Sequence, residues 1–315
     1  MTHKLYKKTK MKILITGGAG FIGSHIVDAY IKEGHDVTVI DNLSTGKIEN
    51  VNTERCHFID ADIRNAEEMQ RLMILYGPFD IVNHQAAQMS VSDSVRNPHM
   101  DIEINIMGTV NVLKTFGSQC KKFIFASSGG TVYGEHDSPR VERDPLEPVS
   151  PYGISKLACE KYVHMYSKAF GFDYVIFRYS NVYGPRQNPH GEAGVIAIFI
   201  EKIVYKQDEC TINGDGEYHR DYIYVSDVVD ANVAAISEEF NGIHNVSTGF
   251  TLTTNEIWTY LSNNPIIADF DPKVKHGPHR EGDIRFSCCV PTNIPGWHAK
   301  IEFHDGIART INSYV

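Results

Sequence analysis

The sequence lacks several features that define common classes of protein. Its six cysteines include no Cys-x-x-Cys pair and no closely spaced framework, so they predict free thiols and a cytoplasmic protein rather than a disulfide scaffold. No apolar run approaches the ~18 residues that a membrane helix needs, and we expect no membrane contact. A His-Glu-x-x-His motif and a Cys/His cluster are also missing, so no metal site is predicted.

An excess of positive charge is absent as well. The 30 lysines and arginines are outnumbered by 39 aspartates and glutamates, which leaves a formal charge of −9 and predicts no general attraction to nucleic acid. The hydrophobic fraction of 42% is typical of a folded chain rather than a disordered one. A length of 315 residues suggests about two domains.

Short apolar runs alternate with longer amphipathic runs over the first half of the chain. The predicted strands are residues 12–16, 37–40, 57–59, 81–84, 123–126 and 175–178. The predicted helices are residues 22–33, 66–76, 98–119 and 151–170. This alternation predicts an α/β fold with a doubly wound parallel sheet of the Rossmann type.

The chain divides into three predicted parts. Residues 1–10 are a basic leader that we expect to be disordered, and residues 11–180 form the nucleotide-binding domain. Loop signals become frequent after residue 180. Residues 181–315 are therefore predicted to form a smaller substrate-binding α/β part, with some of the chain crossing back to the first domain.

A glycine-rich loop follows the first predicted strand and opens the first predicted helix. Gly17, Gly20 and Gly23 stand where a dinucleotide fold needs a tight turn, close approach of the backbone to a pyrophosphate and close helix packing. The free N–H groups of the helix N-terminus would face the phosphates. The alternative is an ordinary turn, but the order of strand, loop and helix favours dinucleotide binding.

Acidic residues follow the second and third predicted strands. Asp41 lies eighteen residues after Gly23, close to the ~20 residues expected for the acid that binds the adenosine ribose. Asn42 comes next, and no arginine stands beside it to bind a 2′-phosphate, so the pattern favours NAD over NADP. Asp62 would face the adenine or, alternatively, cap a helix.

Candidate catalytic residues lie around the fifth predicted strand and the helix after it. Tyr152 and Lys156 are four residues apart near the helix start and therefore share one face. A free tyrosine has a pKa of ~10, and a neighbouring ammonium favours its ionised form. Ser127 and Ser128 leave the fifth strand, where a hydroxyl could bind the reacting oxygen. A surface Tyr/Lys pair and polar loop residues are the alternatives.

These motifs together resemble the extended short-chain dehydrogenase/reductase family, and within it the NAD-dependent nucleotide-sugar 4-epimerases of the UDP-glucose 4-epimerase type. The resemblance covers nearly the whole chain after Met11. The further sequence motifs that match the family are residues 62–64, 84–87, 105–109, 127–134, 178–186, 220–223 and 280–283.

The resemblance implies a role for each candidate residue. Tyr152 would be the base, Lys156 would bind the nicotinamide ribose and Ser128 would assist at the sugar 4-hydroxyl, while Asn105 would orient Lys156 or line the cofactor site. The implied NAD-binding set is Gly17, Gly20, Phe21, Ile22, Gly23, Asp41, Asn42, Asp62, Ile63, Gln85, Ala86, Ala87, Asn105, Ser127, Tyr152 and Lys156. The implied sugar-nucleotide set is Ser128, Tyr152, Asn181, Arg220, Arg280, Asp283 and Ser287. A homodimer through the predicted helices 98–119 and 151–170 is also implied.

The sequence departs from the family pattern at two places that bear on the substrate. Gly129 and Gly130 shift the register after the fifth strand, so Ser127 and Thr131 remain alternatives to Ser128. Ser287 stands where the resemblance places a side chain that gates the sugar pocket. A serine there leaves room for an N-acetyl group. UDP-N-acetylhexosamines are therefore predicted substrates, either alongside plain UDP-hexoses or in place of them.

The expected function is NAD-dependent inversion of C4 of a UDP-hexose or UDP-N-acetylhexosamine through a transient 4-keto intermediate. A 4,6-dehydratase usually has an Asp-Glu pair where this sequence has Gly129-Gly130, and decarboxylases of UDP-glucuronate have a glutamate there. A UDP-glucuronate 4-epimerase stays open, and a net dehydrogenase is a weaker alternative. A catalytically inactive NAD-binding scaffold would typically have lost Tyr152 or Lys156.

Overall fold

A computed structural model of the protein describes residues 10–189, 194–237, 239–279 and 284–315. The strands within these residues are β1 (Lys12–Thr16), β2 (Asp36–Asp41), β3 (His57–Asp60), β4 (Ile81–His84), β5 (Lys122–Ser128), β6 (Asp173–Tyr179), β7 (Asn181–Tyr183), β8 (Cys210–Asn213), β9 (His219–Tyr224), β10 (Gly242–Val246), β11 (Thr251–Leu252), β12 (Val274–Gly277) and β13 (Phe286–Ser287). The α-helices are α1 (Phe21–Lys32), α2 (Ala66–Tyr76), α3 (Val91–Arg96), α4 (Pro98–Asp101), α5 (Gly108–Phe116), α6 (Gly129–Val132), α7 (Pro151–Phe170), α8 (Val195–Glu201), α9 (Val225–Ala234), α10 (Thr254–Ser262), α11 (Pro265–Ala268) and α12 (Phe303–Asn312).

The main sheet has seven parallel strands in the order β3-β2-β1-β4-β5-β6-β10. The strand order reverses between β1 and β4, and the loops that leave these neighbouring strands diverge there. In a doubly wound sheet this point is where a ligand binds, outside the carboxyl ends of the strands. The predicted fold class, an α/β Rossmann sheet, is confirmed.

Side chains of the central strands alternate between the two faces of the sheet, because successive residues of a strand point to opposite sides. On β1, Ile13 and Ile15 pack into one buried cluster and Leu14 packs into another. Helices cover both clusters: α1 and α9 lie over the first, while α2, α5 and α7 lie over the second. Burial on both faces explains why apolar residues predominate in the middle of these strands.

One predicted helix differs from the structure. Residues 98–119 are not a single α-helix but α4, a π-helical segment at Ile102–Met107, α5 and a 3-10 turn at Gly117–Gln119. The π segment contains Asn105, whose side chain bonds inward. At Gly108 a Cβ atom would lie 2.5 Å from Ile63, so the absence of a side chain lets the helix pack closely there.

The chain after residue 181 builds a second, smaller layer and also returns to the main sheet. β10 pairs with β6 and becomes the seventh strand; the sequence predicted that some of the chain crosses back to the first domain, but not which segment. β9 pairs with β7, β11 and β13, while β8 pairs with β12. A third buried cluster, which includes Phe199, Ile257 and Ile311, holds this layer together. None of the helices in the described ranges is long and apolar enough to cross a membrane.

Candidate active site

A cleft of about 1070 Å³ opens at the carboxyl ends of the parallel strands, between the main sheet and the smaller layer. It brings together most of the residues that were predicted from the sequence to bind the cofactor or the substrate. Those lining it are Gly17, Gly20, Phe21, Ile22, Gly23, Asp41, Asn42, Asp62, Ile63, Gln85, Ala86, Ala87, Ser127, Ser128, Tyr152, Lys156, Asn181 and Arg220.

Among the described residues, two of the predicted site residues, Asn105 and Ser287, do not line the cleft. Arg280 and Asp283 lie outside the described residues. Asn105 is buried behind the cleft wall, where its side chain bonds the backbone N–H and C=O of Gln88, both at 2.9 Å, and Asp101 at 2.8 Å. These bonds support the loop after β4, while the implied role of Asn105, orienting Lys156 or lining the cofactor site, stays a prediction. Ser287 is also buried, on β13.

The glycine loop has the shape that a pyrophosphate cradle needs. Gly17 has a φ of +70°, and a Cβ atom there would lie 2.6 Å from the backbone nitrogen of Ala86. A Cβ atom on Gly23 would lie 2.1 Å from the carbonyl oxygen of Gly17. Helix α1 begins after Gly20 without a side-chain cap, which leaves its first N–H groups directed at the cleft. The residues present therefore fit a dinucleotide.

The carboxylate at the end of β2 supports this loop. Asp41 accepts hydrogen bonds of 2.9 Å from the backbone N–H groups of Ala19 and Leu43, and burial raises its pKa. Asp41 thus joins the glycine loop to the place where an adenosine ribose would lie.

Asp62 lies beside Asp41 at the same end of the cleft. Its carboxylate accepts hydrogen bonds from Asn42 at 2.9 Å and from Arg64, whose bonds lower the pKa of Asp62 to about 2. The N-cap of α2 is Asn65, so the helix-capping alternative for Asp62 is wrong.

Helix α7 carries the Tyr/Lys pair into the centre of the cleft. Ser150 caps the helix by accepting a hydrogen bond from the N–H of Gly153, and Pro151 occupies the first turn. The ammonium nitrogen of Lys156 donates a 2.8 Å hydrogen bond to the carbonyl of Ala126 and lies 5.8 Å from the ring centre of Tyr152. Burial lowers the pKa of Lys156 to about 8.

The three candidate hydroxyls lie at the end of β5 and in α6, and they differ in their surroundings. Ser127 donates a 2.5 Å hydrogen bond to the buried carboxylate of Glu160, so its hydroxyl is already engaged. Ser128 is half-buried and lines the cleft. Thr131 has a buried Oγ1 with no partner among the described residues. Ser128 remains the predicted catalytic hydroxyl, with Ser127 and Thr131, which also line the cleft, as its alternatives.

The smaller layer supplies the opposite wall. Asn181 donates a 3.1 Å hydrogen bond to the carbonyl of Asp221, and Arg220 donates one of 2.9 Å to the carbonyl of His219. Ser287 is paired in register with Arg220 across β13 and β9. A Cβ atom built on Gly130 would lie 3.9 Å from the hydroxyl oxygens of both Ser128 and Ser287, so these two serines flank Gly130.

The structure also shows cleft residues that the sequence analysis missed. The loop after β4 and the start of α3 line the cleft, as do side chains of β6, β9 and the segment after β3; these residues are Arg64, Gln88, Met89, Ser90, Val91, Tyr179 and Tyr222. A helix over 91–96 was not predicted, although Ser90 is a good N-cap residue and caps it by accepting from Asp93. That signal was available in the sequence.

The sheet order, the glycine loop and the Tyr/Lys pair on α7 together define a dinucleotide-binding enzyme of the short-chain dehydrogenase/reductase type. Comparison with protein-family models agrees: residues 13–247 match the NAD dependent epimerase/dehydratase family. The chain belongs to this family and is an NAD-dependent enzyme. When bound in the cleft, NAD supplies a reversible acceptor of hydride.

Individual relatives cover nearly the whole chain. A putative UDP-glucose 4-epimerase of Methanocaldococcus jannaschii is 42% identical over 95% of this chain and 97% of its own. The crystal structure of UDP-glucose 4-epimerase from Thermotoga maritima with UDP-glucose is 42% identical, has a TM-score of 0.91 and covers 96% of this chain and 98% of its own. The UDP-N-acetylglucosamine 4-epimerase of Methanobrevibacter ruminantium, in complex with UDP-N-acetylmuramic acid, is 35% identical with a TM-score of 0.88 and covers 97% and 98%.

Proposed function

We propose that this protein is a UDP-sugar 4-epimerase that inverts C4 of a UDP-hexose or UDP-N-acetylhexosamine through a transient 4-keto sugar. The observation that carries the proposal is the position of Tyr152, with Lys156 behind it and Ser128 on the same cleft, between the dinucleotide cradle and the wall that holds Arg220. The relatives with UDP-sugar 4-epimerase names support the same substrate class.

The residues of the cleft divide the reaction between them. The Tyr152 phenolate takes the proton of the 4-hydroxyl while C4 loses its hydride, which leaves a C4 ketone. Ser128 donates a hydrogen bond to O4, and the Lys156 ammonium stabilises the phenolate form of Tyr152. The ketone turns its other face to the cofactor, the same hydride returns to C4, and Tyr152 gives the proton back to O4.

The diphosphate holds the sugar while it turns. Arginine suits phosphate oxygens because its planar guanidinium can donate two parallel hydrogen bonds, and Asn181 adds an amide donor. In this proposal Arg220 and Asn181, with the predicted Arg280 and Asp283, bind the nucleotide and its diphosphate. These contacts to the diphosphate lie away from the reacting carbon, so the ketone can rotate without leaving the cleft.

The short helix α6 argues against dehydration. At Gly129 a Cβ atom would lie 2.8 Å from the sulfur of Cys289 and 3.2 Å from the carbonyl of Arg178, so no side chain fits. Gly130 is also without a side chain. The acid and base that a dehydratase needs beside the catalytic hydroxyl are therefore missing from these two positions.

Ser287 supports acceptance of an N-acetyl group. It is buried beside Gly130, which lines the cleft, and in this proposal its short side chain leaves room for the N-acetyl group. Ser287→Tyr is expected to lower kcat/KM for UDP-N-acetylglucosamine by about tenfold or more relative to UDP-glucose, whereas Ser287→Ala keeps both. Equal rates of Ser287→Tyr and the parent protein on UDP-N-acetylglucosamine would contradict this part of the proposal.

The whole proposal is tested with purified protein to which no NAD is added. It is offered UDP-glucose, UDP-N-acetylglucosamine and UDP-glucuronate in turn, and products are resolved by NMR. We expect the C4 epimer of at least one of the first two, and no product with Tyr152→Phe. Epimerisation of UDP-glucuronate alone, a net oxidised sugar with NADH, or no turnover at all would each contradict the proposal.

We also propose that the protein is a cytoplasmic homodimer. Apolar side chains are exposed along the outer face of α7 and the neighbouring segment: Ile154 is 54% exposed, Met165 45%, Ile102 44% and Met107 51%. Two copies of this surface could form a bundle of helices, and contiguous exposed apolar side chains of this kind commonly mark interfaces. The six cysteines are free, as expected in a reducing compartment.

A further inference from the structure

A buried ion pair lies directly behind the catalytic residues. The side chains of Glu160 on α7 and Arg178 on β6 are 2% and 1% exposed. The guanidinium holds the carboxylate through two hydrogen bonds, Nη2 to Oε2 at 2.7 Å and Nε to Oε1 at 2.9 Å. A further donor of Arg178 bonds the hydroxyl of Tyr133 at 2.9 Å, so the pair is held in one geometry.

Glu160 extends the catalytic face of α7. It lies four residues after Lys156, which lies four residues after Tyr152, so the three side chains form one stripe along the helix. The other oxygen contact of Glu160 is the hydroxyl of Ser127, at 2.5 Å from Oε1. The stripe on α7 is therefore connected to the end of β5 through the bond between Glu160 and Ser127.

A closed circuit of contacts joins Glu160 to Lys156. Ser127 follows Ala126, and the carbonyl of Ala126 accepts the 2.8 Å hydrogen bond from Lys156 Nζ. Starting on α7, the circuit runs from Glu160 to Ser127, along the backbone to Ala126, and back to α7 through Lys156. We propose that Glu160 is a positioning residue for Lys156. Glu160 acts through Ser127: by holding the Ser127 side chain, it fixes the neighbouring Ala126 carbonyl that accepts the hydrogen bond from the Lys156 ammonium. This inference rests on the proposed role of Lys156.

Charge adds to the positioning effect. The groups that face Lys156 are Tyr152, Cys159 and Glu160 on its own helix, Asp101 on α4 and His84 on β4. Burial lowers the pKa of Lys156, and Cys159, Asp101 and Glu160 oppose that effect. His84 stays neutral because it is buried between the hydroxyls of Thr16 and Thr109, and burial lowers its pKa to about 3.

Stability alone is a weak reason for this ion pair. Two buried charges lose their hydration, and their replacement by apolar side chains of similar size is often neutral or stabilising, whereas the loss of one partner is strongly destabilising. A purely structural role could therefore be filled by two apolar residues. The positioning role could not, because an apolar residue at 160 has no acceptor for Ser127.

The test uses two perturbed proteins with NAD bound and one control. Ser127→Ala breaks the circuit but keeps the ion pair, and the double variant Glu160→Met/Arg178→Met removes both charges together so that neither is left buried alone. Ser167→Ala, which removes a 2.6 Å hydrogen bond to Phe172 near the other end of α7, is the control. We measure thermal unfolding, kcat and KM for the UDP-sugar, and the titration of Lys156 by NMR of 13C-labelled lysine.

We expect both perturbed proteins to fold and to lose about tenfold to a hundredfold in kcat with little change in KM, because a small misplacement of a catalytic group has effects of that size. Lys156 should titrate at lower pH in the double variant than in the parent protein, since the charge of Glu160 is gone. A folded double variant with the parent kcat and the parent titration of Lys156 would overturn the inference. The titration needs no sugar. A shift in the pKa of Lys156 would therefore support the inference even if the proposed function failed because no UDP-sugar was epimerised.

Discussion

The ammonium nitrogen of Lys156 lies 5.8 Å from the centre of the Tyr152 ring, one helical turn along α7. Both side chains are nearly buried, at 4% and 9% exposure, so water screens their interaction weakly. Within the described residues, the ammonium is held in place by the Ala126 carbonyl rather than by a carboxylate, which leaves its charge available to the tyrosine and the cofactor.

Removal of the ammonium should abolish most of the activity. Lys156→Met keeps the length and apolar stem of the side chain but loses the charge, so we expect kcat to fall by about 10²-fold to 10⁴-fold, the usual contribution of a general acid–base system. Steady-state kinetics with the preferred UDP-sugar measures the loss. Lys168→Met, at an exposed lysine near the other end of α7, is the control and should keep the parent kcat. A fully active Lys156→Met protein would contradict the assigned role.

The pKa of Lys156 predicts the alkaline limit of the reaction. Burial lowers it to about 8, so the working ammonium form dominates below this pH and is lost as the pH rises through it. We expect kcat to decline above pH ~8 with the slope of a single ionisation. The measurement is kcat at saturating substrate from pH 6 to about 10. A kcat that keeps rising to the end of this range would show that Lys156 stays protonated or is not needed.

Much of the main sheet could be predicted from the sequence because its strands are buried on both faces. The strands over 12–16 and 81–84 and the helices over 66–76 and 151–170 have the predicted bounds. β10 could not be predicted to join this sheet, since its partner β6 lies more than sixty residues earlier and pairing of parallel strands leaves no local pattern. The π-helical segment was missed for a related reason: it depends on the packing of Asn105 and Gly108, not on apolar spacing.

The candidate site was predictable where chemistry requires a fixed spacing. Gly17, Gly23 and Asp41 follow the spacing of a dinucleotide fold, and Tyr152 and Lys156 follow that of one helix face. The partners of Asn105, Gln88 and Asp101, could not be predicted because they come from segments whose approach is set by tertiary packing.

Substitution of the first loop glycine should prevent cofactor binding. In Gly17→Ala the new Cβ atom would lie 2.6 Å from the Ala86 nitrogen, and Gly17 also has a positive φ of +70°. Gly34→Ala is a matched control, because Gly34 has a φ of +89° but nothing within 4 Å of the new atom. Both variants carry backbone strain of roughly 1–2 kcal/mol, but only Gly17→Ala should lose NAD. The NAD content of each purified variant distinguishes them, and equal contents would contradict the proposed cradle.

Loss of the arginine on β9 should weaken substrate binding more than chemistry. A charge-assisted hydrogen bond to phosphate contributes about 1.5–3 kcal/mol, so Arg220→Ala should raise KM by roughly tenfold to a hundredfold with a smaller change in kcat. Arg71→Ala, on the surface of α2, is the control. An unchanged KM for Arg220→Ala would place the diphosphate elsewhere.

Disruption of the exposed apolar face of α7 should yield monomers. Ile154→Glu and Met165→Glu place charges on the proposed interface, and burial of an unpaired charge is costly. Light scattering after size-exclusion chromatography should show a dimer for the parent protein and a monomer for these variants. Ile74→Glu, at an apolar residue of α2 that is 84% exposed, is the control and should remain dimeric. A monomeric parent protein would contradict the proposed assembly.

The central claim is that C4 is oxidised and then reduced again by the same hydride within one cleft. The most direct test is conversion of UDP-sugar that carries deuterium at C4, in ordinary water and without added NAD, with the product examined by NMR and mass spectrometry. The account predicts a C4 epimer that retains its deuterium, with no solvent hydrogen at that carbon. An epimer that has exchanged its C4 deuterium for solvent hydrogen would contradict it.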